Sequence, residues 1–141
     1  MQQLVYKICS VEQLKFKIMT KFYKCNKCGN VAIKVVDSGV PMVCCGEKME
    51  LLEPNVVDAS GEKHMPVVSL LGDGKIRVEV GSVHHPMTPE HHIAFIYVET
   101  DNGGIRVDLK DTPVADIYVG AANVTAVYEY CNLHGLWANF L

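Results

Sequence analysis

Near the C-terminus, Cys131-Asn132-Leu133-His134-Gly135-Leu136, followed by Trp137, sets a thiolate and an imidazole three positions apart. That is the spacing of metal ligands and not of a packed face. Upstream lie the other donors such a site would need: His64 within Glu62-Lys63-His64-Met65-Pro66, and His85 and His91 within the run from His84 to His92. A structural zinc site closes with four ligands. Four imidazoles and one thiolate instead suit iron with one position left open for chemistry, so the pattern predicts a redox enzyme.

A second set of donors precedes these. Cys25 and Cys28 form a Cys-x-x-Cys knuckle, and Cys44 and Cys45 are adjacent, with fifteen residues between the two pairs. Four thiolates predict a closed tetrahedral site, for which zinc and iron are equally admissible by chemistry alone. Disulfides are the poorer reading, because vicinal cysteines form only a strained bridge with one another. Cys9 is left over and reads as an ordinary free thiol.

The elements that must hold these residues are short. Gly29 and Asn30 tolerate positive φ and let backbone amides turn toward the first pair of sulfurs. Residues 31–36 read as a strand, 37–39 as a turn, and 40–43 as a returning strand that delivers Cys44 and Cys45. So small a unit needs a metal for stability. Glu53-Pro54-Asn55 marks a linker, after which strand patterns recur about every ten residues. Residues 75–80 alternate cleanly between apolar and polar. Residues 93–99 and 105–109 flank a hairpin signal at 100–104, and 114–119 and 124–130 complete the series. Strands without intervening helical patterns predict an antiparallel sandwich of immunoglobulin-like type.

Taken together, Cys25-x-x-Cys28, Cys44-Cys45, the Glu62 to Pro66 motif, the His84 to His92 run and the Cys131 to Trp137 motif resemble desulfoferrodoxin, the two-iron form of superoxide reductase. The resemblance covers residues 19 to 141, and the motifs fall in the family's order. It implies an all-β chain with a desulforedoxin-like four-cysteine iron domain at 19–53 and a catalytic β-sandwich at 54–141. Residues 1–18 depart from the pattern, as an addition or as an upstream start ahead of Met19. It further implies two non-haem irons per chain, one held by Cys25, Cys28, Cys44 and Cys45, the other by His64, His85, His91, His134 and Cys131. The implied reaction is one-electron reduction of superoxide to hydrogen peroxide, with electrons from rubredoxin or a similar small donor, in a homodimer.

Glu62 and Lys63 would ordinarily read as solvated surface. The resemblance gives them roles at the open position: Lys63 attracts superoxide and stabilises nascent peroxide, and Glu62 is the carboxylate that helps product leave. His84 and His92 sit beside expected ligands and read as bystanders, on the argument that neighbours in extended backbone point to opposite faces. Tyr130 and Trp137 read as a packing shell that limits solvent at the metal.

Composition sets the outer limits. The chain has 141 residues, 49% hydrophobic, and a formal net charge of −3. No basic footprint predicts nucleic acid or an anionic membrane as partner, so an anionic substrate must be attracted locally. No apolar run reaches membrane-span length and no secretory signal is evident, which predicts a cytoplasmic protein. Two readings of other classes compete: an electron carrier in which only the four-cysteine iron works, and a zinc-stabilised binding module. Neither accounts for His64, His85, His91, His134 and Cys131 occurring together.

Overall fold

The computed structural model describes residues 19–57, 59 and 61–141. The expectations for residues 1–18 and for Cys9 lie outside them. The chain divides between Leu51 and Leu52 into two units.

In the first unit, β1 (Phe22–Lys24) is the centre of a three-stranded antiparallel sheet, with β2 (Val31–Ile33) on one side and β5 (Glu50–Leu51) on the other. A separate hairpin pairs β3 (Val43–Cys44) with β4 (Glu47–Lys48). This corrects the expected strands at 31–36 and 40–43. The first stops at Ile33, and the second is reduced to its last residue and pairs forward with β4. The physical reason lies in the connecting loop. Lys34 Nζ donates to Asp37 Oδ1 at 2.8 Å and to the Val40 carbonyl at 2.7 Å, while Asp37 Oδ1 also accepts from Gly39 N at 2.8 Å. These side-chain bonds satisfy backbone groups that a ladder would otherwise have used. Val35, Val36 and Val40 are left exposed, and Phe22 and Cys25 are the only fully buried apolar side chains in the described part of this unit.

The second unit contains α1 (Gly61–His64), β6 (Pro66–Gly72), β7 (Lys75–Val80), β8 (Ile93–Thr100), β9 (Gly103–Asp108), β10 (Val114–Tyr118), β11 (Val124–Cys131) and β12 (Gly135–Phe140). Its strands form two antiparallel sheets, ordered β10-β7-β6 and β12-β11-β8-β9. Three strands and four make the expected immunoglobulin-like sandwich. The alternation in β7 works as read: Ile76, Val78 and Val80 are buried, whereas Lys75 and Arg77 are exposed. They pack with Ile93, Ile96 and Val98 of β8, Ile117 of β10, and Val127 and Cys131 of β11. Each such side chain contributes about 1.5–3 kcal/mol relative to exposure.

Three differences from the expected strands bear on the site. Strands β6 and β12 were not among those expected: the sequence of β6 does not alternate, and β12 begins inside the ligand motif. The hairpin connection is only Asp101-Asn102, because Thr100 already pairs with Gly103. Finally, the β11–β8 register shifts between Tyr130 and Cys131, which pair with Phe95 and Ile93 respectively and leave Ala94 as the extra residue. That bulge lies on β8 and brings buried Ile93 opposite Cys131, the kind of re-aiming for which bulges recur beside functional sites.

Candidate metal centres

In the first unit, the sulfurs of Cys25, Cys28, Cys44 and Cys45 lie within 4.8 Å of one another. The two knuckles are built differently. In the first, Gly29 N bonds back to Cys25 O at 2.9 Å and Cys28 N donates to Cys25 Sγ at 3.5 Å. In the second, Cys45 and Gly46 are the two central residues of the β3–β4 hairpin, with φ of 52° and 78°. A turn with positive φ at both positions matches the twist of the strands it joins, and it explains how two adjacent cysteines present both sulfurs to one point. Cys28 Sγ and Cys44 Sγ are 3.6 Å apart, near the roughly 3.8 Å edge of a tetrahedron with 2.3 Å metal–sulfur bonds. Asn30 Nδ2 donates to Cys44 Sγ at 3.6 Å.

The acidities of these thiols point the same way. Backbone amides of Cys28 and Lys27 lower the Cys25 thiol to about 6, whereas the Cys28 thiol, followed by Cys25 and Cys44, pushes Cys45 up to about 12. One thiolate forms readily; four together need a cation to hold them deprotonated.

In the second unit, one donor atom each from His64, His85, His91, Cys131 and His134 lies within 4.8 Å of all the others. Three segments deliver them. His64 ends α1, His85 and His91 lie in the β7–β8 connection, and Cys131 and His134 flank the β11–β12 turn. The ring nitrogens are specified by their second contacts. His85 Nδ1–H donates to the Pro86 carbonyl at 2.7 Å, which leaves the Nε2 lone pair directed at Cys131 Sγ, 3.5 Å away. Such a bond fixes tautomer and ring orientation for a metal ligand. His64 Nε2 faces His134 Nδ1 at 3.1 Å, and His134 Nδ1 is 3.7 Å from Cys131 Sγ. His91 Nε2 is buried without a hydrogen-bond partner. A buried, unpartnered ring nitrogen beside four other donors is what an absent cation would leave.

Burial tunes the set. It pushes His85 down to about 4, with His64, His91 and His134 adding to the effect, so this imidazole is neutral at pH 7. His91 is lowered first by burial and then by the charges of His134, Lys63 and His92. Burial raises the Cys131 thiol above its ordinary value, opposed by the His134 backbone amide, which donates to Sγ at 3.4 Å. The donors fit iron: four imidazoles plus one thiolate that a metal must deprotonate.

Residues 56–140 match the family described as Desulfoferrodoxin, and residues 19–52 match Desulfoferrodoxin, N-terminal domain. The chain belongs to the desulfoferrodoxin family. A desulfoferrodoxin homologue of Methanothermobacter thermautotrophicus is 44% identical over 120 residues, covering 83% of this chain and 95% of the relative. The desulfoferrodoxin of Desulfarculus baarsii is 42% identical over 118 residues, covering 82% and 91%. Among solved structures, the superoxide reductase from Treponema pallidum superposes with a TM-score of 0.73 at 32% identity, over 86% of this chain and 99% of that one. The two donor sets match the two iron centres of a desulfoferrodoxin.

Within this desulfoferrodoxin fold the remaining sequence-predicted residues fall as follows. Glu62 and Lys63 are exposed on α1, immediately before buried His64. His84 is exposed, with Nε2 3.9 Å from Glu79 Oε2, and His92 Nδ1–H donates to the Thr88 carbonyl at 3.0 Å. Neither joins the donor cluster. The strand argument for separating the neighbours does not apply, since residues 84, 85, 91 and 92 all lie in the loop; backbone bonds separate them instead. Trp137 and Tyr130 are buried.

Two residues that position the donors, Gly81 and Asn132, and one buried carboxylate, Glu129, were not singled out from sequence. Gly81 has φ of 84°, and a Cβ there would stand 2.7 Å from the Glu62 carbonyl and 2.8 Å from the Lys63 carbonyl carbon. Only glycine lets α1 and the His85 loop come this close, and Val83 N then donates to Glu62 O at 3.1 Å. Asn132 accepts from His92 N at 2.8 Å through Oδ1 and donates to Glu90 O at 2.9 Å through Nδ2, bracketing His91. Its place inside the Cys131–His134 motif was the available signal. Glu129, fully buried on β11, carries both carboxylate oxygens without a partner, and burial raises it to about 9. A lone acidic residue in an apolar strand gives no sequence signal of that environment.

Proposed function

We propose that this chain is a superoxide reductase whose catalytic iron is held by His64, His85, His91, His134 and Cys131. The observation that carries the reading is the convergence of four imidazoles and one thiolate, from three separate segments, within 4.8 Å. The overall reaction takes superoxide, one electron and two protons to hydrogen peroxide. Iron bound there supplies the one-electron change between its ferrous and ferric states, and the chain's residues do the rest.

Neutral imidazoles leave the site its positive charge, which favours an approaching anion. Lys63 adds charge at the mouth of the site, steering superoxide where the whole protein, at −3, would repel it. With iron bound, the Cys131 thiolate, held by the His134 amide, would supply electron density to the metal. Glu62, exposed beside Lys63, assists departure of the product. Trp137 and Tyr130 limit solvent around the donors.

The four-cysteine cluster holds a second iron as a one-electron centre. We assign residues 19–53 to that domain and 54–141 to the catalytic sandwich. A small carrier of rubredoxin type supplies electrons to a cytoplasmic homodimer. No helix among the described residues is long and apolar enough to cross a membrane. Metal analysis of the purified protein tests the reading: two irons per chain support it, and zinc in both sites contradicts it.

A further inference from the structure

We propose that Trp137 is a positioning residue for the five-donor site, setting the ring plane of His64 with its indole face and the peptide of His134 with its N–H. The inference rests on the superoxide reductase reading only in taking His64 and His134 as ligands of one iron.

The indole lies over the His64 imidazole with centroids 4.9 Å apart and planes inclined by 21°. The other rings meet His64 edge-on, His85 at 4.8 Å and 70°, His134 at 4.9 Å and 87°. Rotation of imidazole about its last side-chain bond is a soft, broad torsion. Edge contacts limit it weakly, whereas a flat stack opposes it directly, so the direction of the His64 Nε2 lone pair depends on the indole.

The same side chain acts on the second ligand by a different contact. Trp137 Nε1–H donates to the His134 carbonyl at 3.2 Å, while the amide of His134 donates to Cys131 Sγ. His134 is thereby tied at both ends, just before Gly135 turns the chain with φ of 76°. The indole can serve as a reference because it is itself fixed. Trp137 is buried, and its backbone pairs with Glu129 in the β11–β12 ladder. One side chain thus connects the ligand at the end of α1 to the ligand in the β11–β12 turn.

Two substitutions separate the contacts. Trp137→Phe keeps a flat ring and loses the N–H; Trp137→Leu loses both. Full-length wild type and variants are loaded with ferrous iron and assayed for iron release to a ferrous chelator. The rhombicity of the ferric five-donor signal is recorded by electron paramagnetic resonance, with absorbance of the four-cysteine centre as internal reference. Release about ten-fold faster in Trp137→Leu, with a changed ferric signal, and a smaller change in Trp137→Phe, supports the proposal. A loaded wild type with release and signal unchanged in both variants overturns it. If Trp137→Leu does not fold, Trp137→Phe decides, since an unaltered signal there contradicts the tie to His134. A wild type that takes up no iron at the five-donor site instead overturns the functional reading itself.

Discussion

His64 Nε2 and His134 Nδ1 lie 3.1 Å apart although seventy residues separate them in the chain. Two nitrogens bound at right angles to one ion, each at about 2.1 Å, stand about 3.0 Å apart. The protein therefore holds the edge of a coordination polyhedron in place by its own packing, and the roles of the neighbouring residues can be tested against that geometry.

The adjacent histidines give the sharpest test of ligand identity. His85→Ala and His91→Ala each delete a donor of the cluster and should lower iron retention at least ten-fold, whereas His84→Ala and His92→Ala should leave it nearly unchanged. Chelator-driven iron release measures this. Greater loss from His84→Ala than from His85→Ala would place the ligand one residue earlier.

Asn132→Ala removes the two bonds that bracket His91 while leaving every donor atom present. Iron should leave the five-donor site faster, by about ten-fold, and Asn132→Asp should restore only the contact to the His92 amide. Release kinetics equal to wild type would show that Thr88, which bonds the His91 peptide from the other side, is sufficient.

How much of this was legible in the sequence follows from what each feature depends on. The donor residues could be read because thiolates and imidazoles are few and their spacing is local within each motif. The clean alternation from Lys75 to Val80 marked β7 for the same reason. The bulge at Ala94 could not be read, since it is a relation between two strands. Nor could the Lys34–Asp37–Val40 bonds that replace the expected hairpin, because valines at 35, 36 and 40 look like strand residues until a side chain captures the backbone. Gly81 and Asn132 act on segments remote in sequence, and their partners appear only in the folded chain.

Iron uptake should release protons. Burial raises the Cys131 thiol above its ordinary value, so near neutrality it is protonated before metal binds. Affinity for ferrous iron at this site should therefore rise with pH, by about ten-fold per unit for one proton released. Titration of the apoprotein at several pH values tests this, and affinity independent of pH from 6 to 8 would contradict it.

Glu129 predicts a pH dependence of stability. Its folded value near 9 lies above that of the unfolded chain, so the folded state binds the extra proton. Its contribution is fully present below the unfolded value and is lost as pH rises toward 9. Glu129→Gln removes the ionisation and should raise stability at pH 8 by on the order of 1–3 kcal/mol, with little effect near pH 4.5. Denaturant melts at the two pH values measure the difference.

The central claim is that superoxide is reduced at the site of Cys131, and pulse radiolysis of the pre-reduced protein tests it most directly. Wild type should consume superoxide and yield one hydrogen peroxide per superoxide without evolving oxygen. Cys131→Ser should lose that reaction while the absorbance of the four-cysteine centre persists. Full superoxide consumption by Cys131→Ser, or oxygen released by the wild type, would contradict the account.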